Sequence, residues 1–197
     1  YSRVGEGDST KVKRQFSVLN SVQHLDKFLK ALNVEVPMVL VAHSYGGLIV
    51  RKFAALYPER VKAILLIDPS SEHDLDIMRT IDLPQAIKEI SFMKTMGIEN
   101  GLDNSFLEYW SKRPMPNYPE IKDIPVVMVA TIKKYTNPPM LLLTDKGREI
   151  MGQNHKSWAE SFPQGRAVFT TNSYHHIHRD EPELVLKEFN TLLKDLD

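Results

Sequence analysis

The sequence predicts an α/β fold: a mostly parallel sheet covered by helices on both faces, with a helical cap insert. Three observations point there. Short apolar, β-branched segments recur at Met38–Ala42, Val61–Ile67, Ile124–Thr131 and Arg166–Thr170. Segments with apolar residues every three or four positions lie between them. The strand candidates are continuously apolar rather than alternating, as strands buried on both faces of a parallel sheet are.

In chain order, the glycine-rich opening VGEGDST reads as a loop. Phe16, Leu19, Val22, Leu25, Leu29 and Leu32 then give a helix with one apolar face, and Pro37 closes the loop after it. Met38–Ala42 is the first strand. Helical spacing resumes from Leu48 to Tyr57 and ends at Pro58. Val61–Ile67 is the second strand, stopped by Asp68-Pro69. About Ser70 to Asp123 forms an insert with helical pieces rich in Met, Phe and Ile, too long for a plain crossover. Ile124–Thr131 and Arg166–Thr170 complete the strands. Asp180 reads as the N-cap of a last helix, with Pro182 in its first turn, Glu183 at the capping-box position and Leu184, Val185, Phe189, Leu192 and Leu193 facing inward. The expected organisation is a core of residues 1–69 and 124–197 with a cap or lid at 70–123; the plainer alternative is a packed helical decoration.

Composition narrows the function classes. The chain has 197 residues, 25 Lys plus Arg against 25 Asp plus Glu, and no cysteine. A zero net charge gives no reason to expect nucleic acid or an anionic membrane as partner. The lack of cysteine excludes disulfide frameworks, thiolate metal sites and cysteine nucleophiles; it fits a reducing compartment, and a cytoplasmic location is expected. No apolar run reaches the roughly 18 residues needed to span a bilayer. The chain opens without Met and without a signal-like segment, so it reads as part of something longer.

The chemistry concentrates where VLVAHSYGGLIV breaks between strand and helix. Ala42-His43-Ser44-Tyr45-Gly46 is a small-x-Ser-x-Gly sequence in strand–turn–helix context, where a nucleophile elbow works. The tight turn demands small residues two before and two after the serine, which Ala42 and Gly46 supply. Gly47 lets the helix approach neighbouring chain. Ser44 is expected in a strained conformation at the sheet's carboxyl edge, with the Tyr45 N–H at a helix N-terminus able to serve an oxyanion.

A serine hydroxyl needs a base. Among seven histidines, His43 is expected to point away from the hydroxyl and pack locally, His24 belongs to the first helix, and His73 and His155 lie in the insert and a polar loop. His175, in Asn172-Ser173-Tyr174-His175-His176-Ile177-His178 after the last strand, is the favoured base, with His176 its rival. His175, His176 and His178 with Asp180 offer enough atoms for zinc, but adjacent residues diverge and no HExxH helix is present, so neither metal nor other cofactor is expected. Asp68 is the favoured acid to orient the imidazole. Its alternative role is a turn residue before Pro69, and Asp145 is the other acid to consider.

The chain resembles the α/β-hydrolase superfamily over nearly its whole length. AHSYGG is similar to the family's nucleophile motif, and YPERVKAILLIDP is similar to the segment that comes after that motif. SYHHIHRDEPELV resembles the histidine segment, which places His175 on the catalytic histidine, with Tyr174 where glycine is common. YSRVGEGDS resembles an Asp-x-x-Gly-x-Gly-x-Ser loop with Ser2 in place of Asp. In most members the acid comes after the third strand identified here, where Thr131–Thr136 carries no carboxylate; some members place it where Asp68 stands. The resemblance also implies strands before the opening loop that carry a second oxyanion donor, supplied by a missing N-terminal segment or a swapped neighbour chain.

The resulting expectation is a serine hydrolase acting on an ester or related acyl bond of an apolar small molecule. Met78, Ile81, Phe92, Met93, Met96 and Trp110 are candidates to line an acyl pocket or, equally, to form the cap's own core. Epoxide hydrolases and dehalogenases of this family usually use an Asp nucleophile, so Ser44 counts against them. The reading from another class is a non-catalytic ligand sensor or partner-binding protein on the same scaffold.

Overall fold

Four strands, β1 (Met38–His43), β2 (Val61–Ile67), β3 (Val126–Thr131) and β4 (Gly165–Thr170), pair in parallel in the order of the sequence. The computed structural model describes residues 7–10, 17–99, 109–110 and 120–196. The expectations placed on Ser2, Phe16 and most of RPMPNYPEI lie outside those residues.

The helices are α1 (Val18–Ala31), α2 (Gly46–Leu56), α3 (Asp74–Ile81), α4 (Leu83–Glu99), α5 (Asp145–Ala159), α6 (Ile177–Asp180) and α7 (Pro182–Lys194). α1 begins where Ser17 and Asn20 form a reciprocal capping box. Its buried apolar stripe is Val22, Leu25 and Leu29, whereas Leu19 and Leu32 are exposed. The stripe is narrower than the spacing alone suggests, because only one side of α1 meets α2 and the sheet.

Alternation in the central strands assigns the two faces. Ile64 and Leu66 of β2, with Val126, Met128 and Ala130 of β3, join the larger core with α1, α2, α3 and α5. Ala63, Leu65, Ile67, Val127 and Val129 face the other way, toward Ile177 and Leu192. Helices thus cover both faces, and β2 and β3 are buried throughout apart from Lys62. β1 differs from the expectation of burial on both faces: Val41 is exposed, because among the described residues only β2 pairs with β1.

Register decides where the chemistry collects. His43 stands opposite Ile67, Ile67 opposite Val129, and Thr131 opposite Thr170. The residues that leave each strand therefore emerge at one level on one edge, where open parallel sheets present functional groups. On the far side of α2, Arg51 is fully buried and its Nη2 donates to Glu72 Oε2 at 2.7 Å and to the Ser70 carbonyl at 2.9 Å. This ties α2 to the chain leaving β2.

The last helix starts differently from the expectation. Asp180 is not its N-cap, because α6 claims residues 177–180 and the Glu181 N–H donates back to Ile177 O at 2.8 Å. Glu181 occupies the cap position, and Pro182 is the first helical residue.

Candidate active site

The elbow is built as its residue sizes require. Ser44 has φ +54°, in the left-handed region that costs a non-glycine residue roughly 1–3 kcal/mol. Surrounding bonds hold it there: its N–H donates to Ile67 O at 3.1 Å, and its carbonyl accepts from Gly47 at 2.9 Å and Ser70 at 2.9 Å. A Cβ on Gly46 would stand 3.3 Å from Ala42 Cβ, so the turn closes only with small residues on both sides. A Cβ on Gly47 would stand 2.6 Å from Pro69 Cβ. Gly47→Ala is therefore expected to destabilise the fold by about 1–3 kcal/mol through overpacking. The check is the urea unfolding midpoint, and an unchanged midpoint would contradict this packing.

Three side chains from three strand ends line up. His175 Nε2 lies 3.0 Å from Ser44 Oγ, and His175 Nδ1 lies 2.7 Å from Asp68 Oδ2. The bond to a carboxylate places the proton on Nδ1 and leaves Nε2 to accept from the serine hydroxyl. Asp68 is 4% exposed and has φ +37°. Its Oδ1 accepts from the Thr131 N–H at 3.1 Å, and Arg148 Nη2 stands 3.5 Å from Oδ2. Burial alone would raise the Asp68 pKa. The hydrogen bond from His175, the Arg148 charge and the Thr131 N–H outweigh it and hold the carboxyl below its ordinary value. Tyr45 is the N-cap residue of α2, so its N–H is at the positive end of that helix, one residue past Ser44.

The loop carrying His175 is held from both sides. Thr131 Oγ1 donates to Ser173 O at 2.7 Å, and Lys133 Nζ donates to Asn172 O at 2.7 Å. The Glu181 carboxylate accepts from Thr170 Oγ1 at 2.7 Å, from Asn172 Nδ2 at 3.2 Å and from Ser173 Oγ. The Ser173 and Thr170 bonds hold the Glu181 pKa below its usual range. His43 Nε2 donates to the His175 carbonyl at 2.8 Å, so His43 faces the histidine loop rather than the serine hydroxyl.

A family model described as alpha/beta hydrolase fold matches residues 1–92. An esterase of known structure from Thermogutta terrifontis superposes with a TM-score of 0.61 at 16% identity, over 98% of this chain and 78% of that one. The family model covers just under half of the chain, and the structural likeness extends the same arrangement over nearly all of it: the chain has the α/β-hydrolase fold. Among its relatives, a type I acyl-CoA thioesterase of Penicillium brevicompactum is 24% identical over 79% of this chain and 42% of its own length. An uncharacterized protein of Bacillus subtilis, YqjL, is 28% identical over 94% of this chain and 68% of its own. An sn-1-specific diacylglycerol lipase of mouse is 23% identical over 82% and 60%. The chain thus spans 42% of the length of the thioesterase, 68% of YqjL and 60% of the lipase.

The remaining expected site residues are dispersed. Asp145, the alternative acid, begins α5 at the surface and pairs with Lys134 at 2.9 Å. Met78 is fully buried and Trp110 nearly so, both in the larger core; Met93 and Ile81 pack against that core, while Phe92 and Met96 are exposed. A groove of about 360 Å³ lies elsewhere, lined by Ile132, Arg148, Gly152 and Phe169 among others. None of the expected acyl-pocket residues lines it. Among the described residues, no helix is long and apolar enough to cross a membrane.

His155 is a correction. It lies on α5 rather than in a loop, is 2% exposed, and neither ring nitrogen has a hydrogen-bond partner among the described residues. Burial pushes its imidazole from the ordinary 6.5 down to about 4; Asp68 opposes this shift, and Arg51 and Arg148 reinforce it. The unfolded chain takes up this proton near 6.5 and the folded chain only near 4. Between those values the unfolded state binds more protons, so stability falls as pH falls, by up to about 3 kcal/mol over the window. The urea midpoint is expected to drop from pH 7 to pH 4, and to drop less in His155→Leu. An equal drop in both proteins would contradict the burial. His43, half-buried and also lowered to about 4, contributes with the same sign but more weakly.

Sequence reasoning missed Thr131, Arg148 and Glu181. Glu181 stood within reach as the acid before Pro182. Thr131 and Arg148 act through contacts across strands and layers that no local motif marks.

Proposed function

We propose that this protein, with its α/β-hydrolase fold, cleaves a carboxylic ester or related acyl bond, a thioester included, through an acyl-enzyme on Ser44. The observation that carries this is the continuous chain Ser44 Oγ, His175 Nε2, His175 Nδ1, Asp68 Oδ2, with steps of 3.0 and 2.7 Å. Ser44 Oγ attacks the carbonyl carbon while its proton passes to His175 Nε2. Asp68 accepts from Nδ1–H throughout and stabilises the imidazolium. The Tyr45 N–H donates to the oxygen that gains charge, aided by the α2 dipole. Collapse of the tetrahedral intermediate breaks the bond to the leaving group, which departs with the proton from Nε2. Water then attacks the acyl carbon, gives its proton to Nε2, and Ser44 is released as the hydroxyl. No charge must enter or leave the site, because the proton only shuttles.

The acyl preference is supported by two of the three relatives above, which are named as a thioesterase and a lipase. For the acyl chain we assign Phe92, Met93 and Met96 of α4 in the proposed cap, residues 70–123. All three lie on α4 and none of them is fully buried. Met78 and Trp110 then belong to the packing that holds the cap.

An activity-based fluorophosphonate probe tests the reading. Wild type is expected to be labelled and Ser44→Ala not. A folded wild-type chain that stays unlabelled would instead favour a ligand-sensing or partner-binding protein.

A further inference from the structure

Three imidazoles outside the proposed triad converge, two from one short segment and the third from far away in the chain. His43 ends β1, His176 precedes α6 and His178 lies within it. One ring nitrogen from each lies within 4.8 Å of the others. Ring centroids are 4.5 Å apart for His43 and His178, 5.5 Å for His43 and His176, and 5.9 Å for His176 and His178.

Two further features mark the cluster. The His43 Nε2–H donates to a backbone carbonyl, which leaves Nδ1 with its lone pair. A metal-binding histidine is ordinarily fixed in this way, one nitrogen donating to a carbonyl or carboxylate and the other free to ligate. In addition, His178 Nδ1 is buried and meets no hydrogen-bond partner among the described residues. A buried ring nitrogen left without a partner is costly. A bound cation would satisfy it.

We propose that His43, His176 and His178 form a binding site for a divalent transition metal of the zinc type, with water completing the coordination. Three imidazoles favour zinc, copper or nickel over magnesium or calcium, which prefer oxygen. Tetrahedral ligation would bring the nitrogens to roughly 3.3 Å of one another, given metal–nitrogen distances near 2.0–2.1 Å. His176 is exposed and free of core packing, so it can rotate inward. The set differs from the one read along the sequence. His175 is engaged by Ser44 and Asp68, and His43 supplies the third direction that neighbouring residues of one loop lack.

The site abuts the proposed base: the His43 and His175 rings are 4.5 Å apart.

The test uses chelator-treated Ser44→Ala protein, so that its outcome does not depend on the proposed serine chemistry. Zn(II) is titrated calorimetrically, and Co(II) is monitored by visible absorption to report nitrogen ligation. One equivalent is expected to bind. His176→Ala and His178→Ala, each added to that background, are expected to weaken binding at least ~10-fold. His24→Ala, a change on α1, is expected to leave it unaltered. Absence of saturable Zn(II) binding, or unchanged affinity in the two loop variants, would overturn the proposal.

Discussion

Ser44→Ala is expected to lower kcat on a p-nitrophenyl acyl ester by about 10⁵- to 10⁶-fold, with KM changed far less. The size comes from the role. In the proposed mechanism the hydroxyl forms the bond to the acyl carbon, and no other described side chain is hydrogen-bonded to His175 Nε2. Whatever rate survives would come from binding and from donors such as the Tyr45 N–H. The variant is expected to fold, because alanine keeps the Cβ and the two bonds to the Ser44 carbonyl are backbone bonds. A loss of less than about tenfold in a folded variant would mean that another group is the nucleophile.

Asp68→Asn is expected to cost about 10⁴-fold in kcat, whereas Asp145→Asn is expected to stay within about twofold. An asparagine amide facing His175 Nδ1 would favour the wrong tautomer, leaving Nε2 protonated and unable to accept from Ser44. The buried Arg148, 3.5 Å from Asp68, would also lose its counter-charge, so a drop in stability should accompany the loss of rate. Asp145 has only an exposed pair with Lys134, which is worth little. A large fall for Asp145→Asn alone, with both variants folded, would reassign the acid.

The strands were legible because β2 and β3 must be apolar on both faces, which writes their length directly into the chain. The elbow was legible for a steric reason: a turn that brings residues 42 and 46 to a 3.3 Å clearance admits few side chains. α5 was not legible. Its inward face carries Arg148 and His155 beside Met151 and Trp158, so the buried stripe is partly polar and the helical period of apolar residues is hidden. The start of α7 misled because Asp180 and Glu183 have capping-box spacing, while a short preceding helix had already used Asp180. The insert defeated any division of its methionines. Met78 and Met96 are chemically alike, and only the tertiary packing makes one core and the other surface.

Glu181 joins the hydroxyls and amide that precede His175 to the first turn of the terminal helix. Mechanically, the C-terminal helix and the His175 imidazole are therefore one lever. A tug on residues beyond Lys194, whether from a fusion tag or a docked neighbour, would be felt as a change in the gap between Ser44 Oγ and His175 Nε2.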